Sequence, residues 1–404
     1  MFYFRKGSKT NKDVLCKELH TLMQKSDYSK LSLSHDIARV VQCLFKKAPL
    51  NIKTEIAEKL VPTISQICMS KYGKFCVSRL MTYCGKEMRE KAITGMLGNV
   101  VKMTSHVFSN SIIDVVYLNH ASPDQKLFLK QEFYSDLYKN DKNKKVTHLR
   151  DTWAGSDILK KGILNSTKLN LTKIASKNLV DNSLVHAVLL EFLEEADETN
   201  RQEIIAAYIP HLAAIASTKQ GSRAAVLSYL YSVAKERRAM LKALKEHVTK
   251  LCIHEHGHLL ILTILNSTDD TQMIKKILFP TIVSDIEKIV NNEWGKRVLE
   301  WIVSPSSKDN FHPTMIGQLD ECLTLGNQKK DADIRRKELV EGIEESLCEA
   351  IKTNPNFWLK GGHTARVTVS VLHACKYFIN MIISFEHKLN IIKLNNSSEM
   401  RSFS

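Results

Sequence analysis

A chain of 404 residues that is 44% hydrophobic can bury a sizeable core, while only 8 prolines and 15 glycines leave few turn formers for long disordered linkers or a strand-rich fold. Its 58 lysines and arginines against 43 acidic residues give a net charge of +15, which favours polyanions, nucleic-acid phosphates above all, through Coulomb attraction and counterion release. The nine cysteines contain no CxxC pair and cannot all pair with one another, so they are expected to be reduced, mostly buried thiols of an intracellular protein. MFYFRKGSKT has no apolar core long enough for a signal peptide, and no window reaches the roughly 18 uninterrupted apolar residues of a membrane span.

In chain order, residues 1–30 read as a basic helical lead-in, and a repeated signature then begins. IARVVQ starts a short apolar helix at Ala38, and YGKFCVS starts another at Lys74, 74 − 38 = 36 residues later. SNSIIDVVY follows at Asn110 after a further 36, and DNSLVHAVLLEFL at Asn182 after 72, twice that interval. QGSRAAVLSYL at Ser222, HGHLLILTIL at His258 and WGKRVLEWI at Lys296 come after 40, 36 and 38, and a weaker TARVTVSVL at Ala365 after 69. The doubled interval implies one degenerate unit near DTWAGSDILKKG, and the interval of 69 implies about two periods with a loop around KDNFHPTMIG.

Between these anchors, KEMREKAITGMLGNVVKMTSH, KERRAMLKALKEHVTKLC and TQMIKKILFPTIVSDIEKIV place apolar residues three and four apart with charges opposite, as amphipathic helices do. Pro62, Pro210 and Pro280 fall inside helix-like runs 12 to 16 residues before an anchor, where proline kinks a helix or separates two. Units of about 36 residues, each a short helix, a turn and a longer helix, bury their apolar faces only by stacking. The expected fold is therefore an all-α solenoid.

The anchors IARVVQ, YGKFCVS, QGSRAAV and WGKRVLE resemble the core motifs of Pumilio (PUF) RNA-binding repeats, an armadillo-like helical family. In that family the first, second and fifth residues after the turn of the short helix face RNA. First and fifth are i and i+4 on one helix face, where both can reach a base edge, and the second can stack between bases. The resemblance thus implies RNA contacts from Ala38, Arg39 and Gln42; Lys74, Phe75 and Ser78; Asn110; Ser222 and Arg223; His258; and Lys296, Arg297 and Glu300.

The first triple is fit to read a base, because Gln42 can bond an edge while Arg39 stacks. Ser222 with Val226, and His258 with Leu259 and Leu262, lack the paired polar groups that readout needs. Lys74 and Lys296 suit phosphates instead, being flexible point charges with donors only. KNDKNKK (139–145) and KERR (235–238) are expected as solvated faces that add to a phosphate track. The four tryptophans are expected in core or turn packing.

From about Leu31 to Leu347, with SDIEKIVNNEWGKRVLEWIVSP and DADIRRKELVEGI, the chain is similar to the Puf-A (Pumilio homolog 3) branch of the family and its CPL region. That resemblance implies an L-shaped array of PUF repeats, with repeats over 31–190 and over 191–375, the latter including the CPL-like part. It implies low-specificity binding of RNA (pre-rRNA or mRNA) and of double-stranded nucleic acid, a monomer with pre-ribosomal protein partners, and a nuclear, nucleolar role in large-subunit rRNA processing. A sequence-specific 3′-UTR repressor and a protein-binding helical scaffold are the alternatives. The segment 376–404, rich in Ile, Asn and Ser, carries no repeat motif and is expected to come from a truncated isoform or a gene model read into an intron.

Residues 254–258 spell HExxH, a zinc-protease motif that needs one unbroken helix. Gly257 is expected at a turn, so neither enzyme activity, a metal nor a cofactor is expected.

Overall fold

The computed structural model describes residues 12–375 apart from 306, 307, 309 and 327; residues 1–11 of the lead-in and the tail 376–404 lie outside the described residues. The described residues form helices and no strand, and they divide into two compact units, Met1–Ile215 and Ala216–Ser404. The helices that carry the argument are α1 (His35–Lys47), α2 (Gly73–Tyr83), α3 (Asn110–Val115), α4 (Ser183–Glu195), α5 (Lys219–Tyr231), α6 (Gly257–Ser267), α7 (Glu293–Val303), α8 (Pro313–Leu325) and α9 (Gly362–Ala374). All eight anchors of the sequence fall on these helices or at the N-cap of one, α8 being the helix without an anchor.

In the first unit α1 packs beside α2, α2 beside α3 and α3 beside α4; in the second, α5 beside α6, α6 beside α7 and α7 beside α9. These are the inner helices of an α-solenoid. After several of them comes a second helix, such as Lys86–Met96 or Ala234–Leu244, and then a short one, such as Val100–Thr104 or Val248–Cys252. Pro62 and Pro210 lie in 3-10 turns that divide these two helices, and Pro280 opens Phe279–Ser284. Each proline lacks an N–H and so falls where a helix must stop and restart.

The glycines of the YGK, HGH and WGK signatures have one physical cause. A Cβ on Gly73 would stand 2.6 Å from the Ile67 carbonyl oxygen, one on Gly257 would stand 2.9 Å from a Leu251 methyl, and one on Gly295 would collide with the Ile289 carbonyl. Each clash is with the residue six before it, so the inner helix starts hard against the short helix that leads into it. At the equivalent place in α3 stands Ser109, whose hydroxyl donates to the Met103 carbonyl at 2.7 Å, again six residues back.

Three sequence expectations change. Asn110 and Asn182 are direct neighbours, because Asn182 Nδ2 donates to the Asn110 carbonyl (3.0 Å) and the Ser183 N–H to Asp114 (2.7 Å). The 72-residue interval therefore holds no degenerate repeat. It is one repeat enlarged by Pro123–Tyr134, two 3-10 turns and Asp157–Ala175. Likewise α7 touches α9 directly, so the interval to Ala365 is one repeat, enlarged by α8 ahead of Ala332–Glu341, Glu344–Thr353 and Pro355–Lys360. Finally, a boundary at 190/191 would cut α4, whose residues 183–193 are all buried; the units divide between Ile215 and Ala216.

The first insertion is tied down by two buried carboxylates. Glu132 accepts from the Gly98 and Val100 N–H groups (2.5 and 2.9 Å) and from Lys142 Nζ (2.6 Å). Glu191 accepts from Lys130 Nζ (2.6 Å), the Tyr134 hydroxyl (2.5 Å) and the Leu149 N–H (3.0 Å). Every ionised oxygen thus meets a donor, the condition for burying a charge.

Candidate nucleic-acid interface

The first side chain of each inner helix was expected to face a ligand, yet most of these side chains face the next repeat. Ala38 is fully buried and its carbonyl accepts from Cys76 Sγ of α2 at 3.4 Å. Asn110 is buried with its amide on the Thr104 and Leu179 carbonyls. Ser222 is buried and donates to the His256 carbonyl at 2.7 Å. His258 is buried, its Nδ1 lies 3.1 Å from the His254 carbonyl, and its ring stacks on Trp294 with centroids 5.0 Å apart. Glu300, at the fifth position, is 1% exposed beside Lys296, Arg366 and Arg297; burial raises its carboxyl pKa and the three cations partly offset this. Stacking repeats at this spacing consumes most of the surface of Ala38, Asn110, Ser222, His258 and Glu300 and leaves little of it for a ligand.

Several second side chains remain outside, although Ser183 is buried and Leu259 half-buried. Arg39 and Arg223 are exposed, Phe75 is 49% exposed, and Arg297 is half-buried. Gln42 is half-buried with its side chain bonded to the Cys76 thiol, and Ser78 is half-buried. Lys74 Nζ is held between two rings, 5.1 Å from the centroid of Phe75 and 5.2 Å from that of Phe108, close enough for cation–π attraction. In α7, Arg297 lies 4.5 Å above Trp294 while its guanidinium reaches Glu293 at 3.5 Å, so His258, Trp294 and Arg297 form a column of planes. Lys296 is half-buried one residue away. The rings beneath these cations restrain long side chains that would otherwise lose rotamer freedom on binding.

Sequence reasoning missed two features. Tyr72, Phe108 and Trp294 stand at one register, one residue before the glycine position, and carry the cations Lys71, Lys74 and Arg297; the sequence expectation placed Trp294 in packing alone. Trp301 and Trp358 are core, at 3% and 0% exposure. Lys102, Lys250 and Lys288 are exposed on the short helices, each seven residues before the glycine position (109 − 102, 257 − 250 and 295 − 288). That repeated spacing was the signal available.

The basic runs contribute less than expected. Lys142 is buried against Glu132 with its pKa lowered by burial, Lys139 pairs with Asp136 and Lys144 with Asp124. Arg237 binds the Tyr229 and Leu230 carbonyls, and Arg238 pairs with Asp270. His254 lies in the turn between Val248–Cys252 and α6, so the two histidines of HExxH do not share a helix. No described helix is long and apolar enough to cross a membrane, and all nine cysteines are free thiols, seven of them buried.

An all-helical array of stacked inner helices, several of them opening at a glycine and presenting cations beside rings, is the architecture of Pumilio-type repeat proteins. The model of the CPL (NUC119) domain matches residues 291–393. Protein penguin of Drosophila melanogaster is 37% identical over 369 residues, 90% of this chain and 49% of that protein, and human Pumilio homolog 3 is 28% identical over 346 residues, 84% and 52%. The chain spans about half the length of these relatives. The crystal structure of human Puf-A in complex with DNA superposes with a TM-score of 0.85 at 26% identity, covering 92% of this chain and 74% of that one. Over most of its length the chain is similar to the Puf-A branch of the Pumilio-repeat proteins.

Proposed function

We propose that this chain binds RNA, single-stranded or double-stranded, with little base selectivity, and that it acts as a non-enzymatic factor in nucleolar pre-rRNA processing for the large ribosomal subunit. One observation carries the binding mode: most base-reading positions are spent on stacking the repeats, while Arg39, Lys74, Phe75, Arg223, Lys296 and Arg297 keep cationic or aromatic groups at the surface. Cations grip phosphates without reading sequence, and rings accept any base face. Human Puf-A, similar over 92% of this chain, has been crystallised with DNA, which supports a grip indifferent to the sugar. The nucleolar setting, the monomeric state and pre-ribosomal protein partners rest on similarity to the branch.

The test is a mobility-shift series with a Pumilio-type element, an unrelated single strand and a duplex, each across a range of salt. Comparable affinities that fall steeply with salt support the proposal. A strong preference for the element would transfer it to sequence-specific repression, and no binding at low salt would leave a protein-binding scaffold.

A further inference from the structure

The inserted helix α8 lies across α6 and reaches α5, on the side of those helices where the family's base-reading positions fall. Asn266 of α6 donates to the Leu319 carbonyl of α8 at 3.2 Å, and Leu319 is buried. The contact is incomplete. Between the three helices lies a cavity of about 170 Å³ whose floor includes the buried Val226 and Leu319 and whose wall includes the half-buried Leu259. That is close to the roughly 150 Å³ that accepts one benzene ring and below the ~300 Å³ where drug-sized ligand sites begin.

The chemistry around this space is uneven. Thr263 lines it with a hydroxyl whose proton is committed to the Leu259 carbonyl at 2.9 Å, which leaves an acceptor shared with the Cys322 thiol. Gln318 of α8 brings an amide with both donor and acceptor. The exposed Lys219, Arg223 and Glu321 line the same cavity, so two cations and one carboxylate stand at its mouth.

We propose that this cavity takes one unstacked pyrimidine base from a bound strand, with Lys219 and Arg223 holding the flanking phosphates. The inference rests on the nucleic-acid reading above and adds to it a single point of base selection. Apolar walls accept the faces of one six-membered ring, Thr263 and Gln318 meet a donor–acceptor edge, and the two cations at the mouth, which outnumber the Glu321 carboxylate, suit a phosphodiester. A purine, with a second fused ring, overfills the space. The open face of α5 and α6 cannot select a base, since Val226 and Leu262 stand where readers are needed; α8 supplies the missing wall.

The experiment uses the full chain with uridine and adenosine tracts of equal length, and with a strand carrying one fluorescent pyrimidine analogue. The expected result is quenching of the analogue and roughly tenfold tighter binding of the uridine tract. Leu259→Trp, which fills the cavity, is expected to abolish both effects while keeping the helical signal and the salt dependence. Gln318→Ala, at an exposed position that folding does not need, is expected to remove the preference alone. If strands bind but the analogue is not quenched, or if both variants discriminate like the parent, the pyrimidine site is wrong. If no strand binds at any salt, the nucleic-acid reading itself falls, and the site with it.

Discussion

Burial sorts the side chains of the inner helices, because most first and fifth side chains lock repeats together while Arg39, Phe75 and Arg223 at the second position meet solvent. Two of the locked residues are histidines with a measurable consequence. His186 on α4 and His258 on α6 have pKa values lowered to about 4, chiefly by burial; at His258 the Arg297 charge adds to this and the His254 carbonyl opposes it. The ordinary value is 6.5, so between pH 6.5 and 4 the unfolded chain binds protons that the folded chain refuses. Stability therefore falls as pH drops through that window, by about 3 kcal/mol per histidine. Thermal unfolding followed from pH 7.5 to 4 is expected to show this slope, and His186→Leu with His258→Leu to flatten it. An unchanged slope in the double variant would place the acid sensitivity elsewhere.

At the scale of elements, the joint between short and inner helices is the most demanding part of the fold. Gly73→Ala places a Cβ against the Ile67 carbonyl and Gly295→Ala against that of Ile289. Backbone cannot yield as a side chain can, so each is expected to cost about 1–3 kcal/mol. Gly162→Ala, on the exposed face of Asp157–Ala175 with nothing within 4 Å, is the control and is expected to gain up to about 1 kcal/mol. Denaturant midpoints compare the three, and equal effects would show that helix propensity rather than the joint decides. These joints were legible in the sequence, since a glycine recurring at one register implies close approach, and the inner-helix stripes were legible from apolar spacing. The insertions were not. DTWAGSDILKKG looked like a worn repeat because local pattern cannot show that Asn182 already bonds Asn110. Nor could it show that PTMIGQLDECLTL crosses two earlier helices. The site was legible only in part for the same reason: Arg39 and Phe75 are outward on any helix of this phase, whereas the burial of Ser222 depends on the carbonyl of His256, 34 residues away.

For the molecule as a whole, the net charge of +15 matters only through the cations left outside, and these occur in both units: Arg39, Lys74 and Lys102 in the first, Arg223, Lys250, Lys288 and Lys296 in the second. A grip spread over many phosphates is additive and indifferent to which bases lie between them. Each lysine that meets one phosphate contributes about 0.7 to the slope of log affinity against log salt for a single strand and about 0.9 for a duplex. Lys74→Ala with Lys296→Ala is therefore expected to lower the slope by about 1.4 and 1.8 respectively. The loss in affinity should be similar for a Pumilio-type element, an unrelated strand and a duplex, and each single variant should give about half of it. A loss confined to the element would mean that these lysines read bases. A lost affinity with an unchanged slope would mean that they act through packing on Phe108 and beside Glu300 rather than through phosphate. The shared slope is the signature that separates a distributed phosphate grip from a code read one repeat at a time.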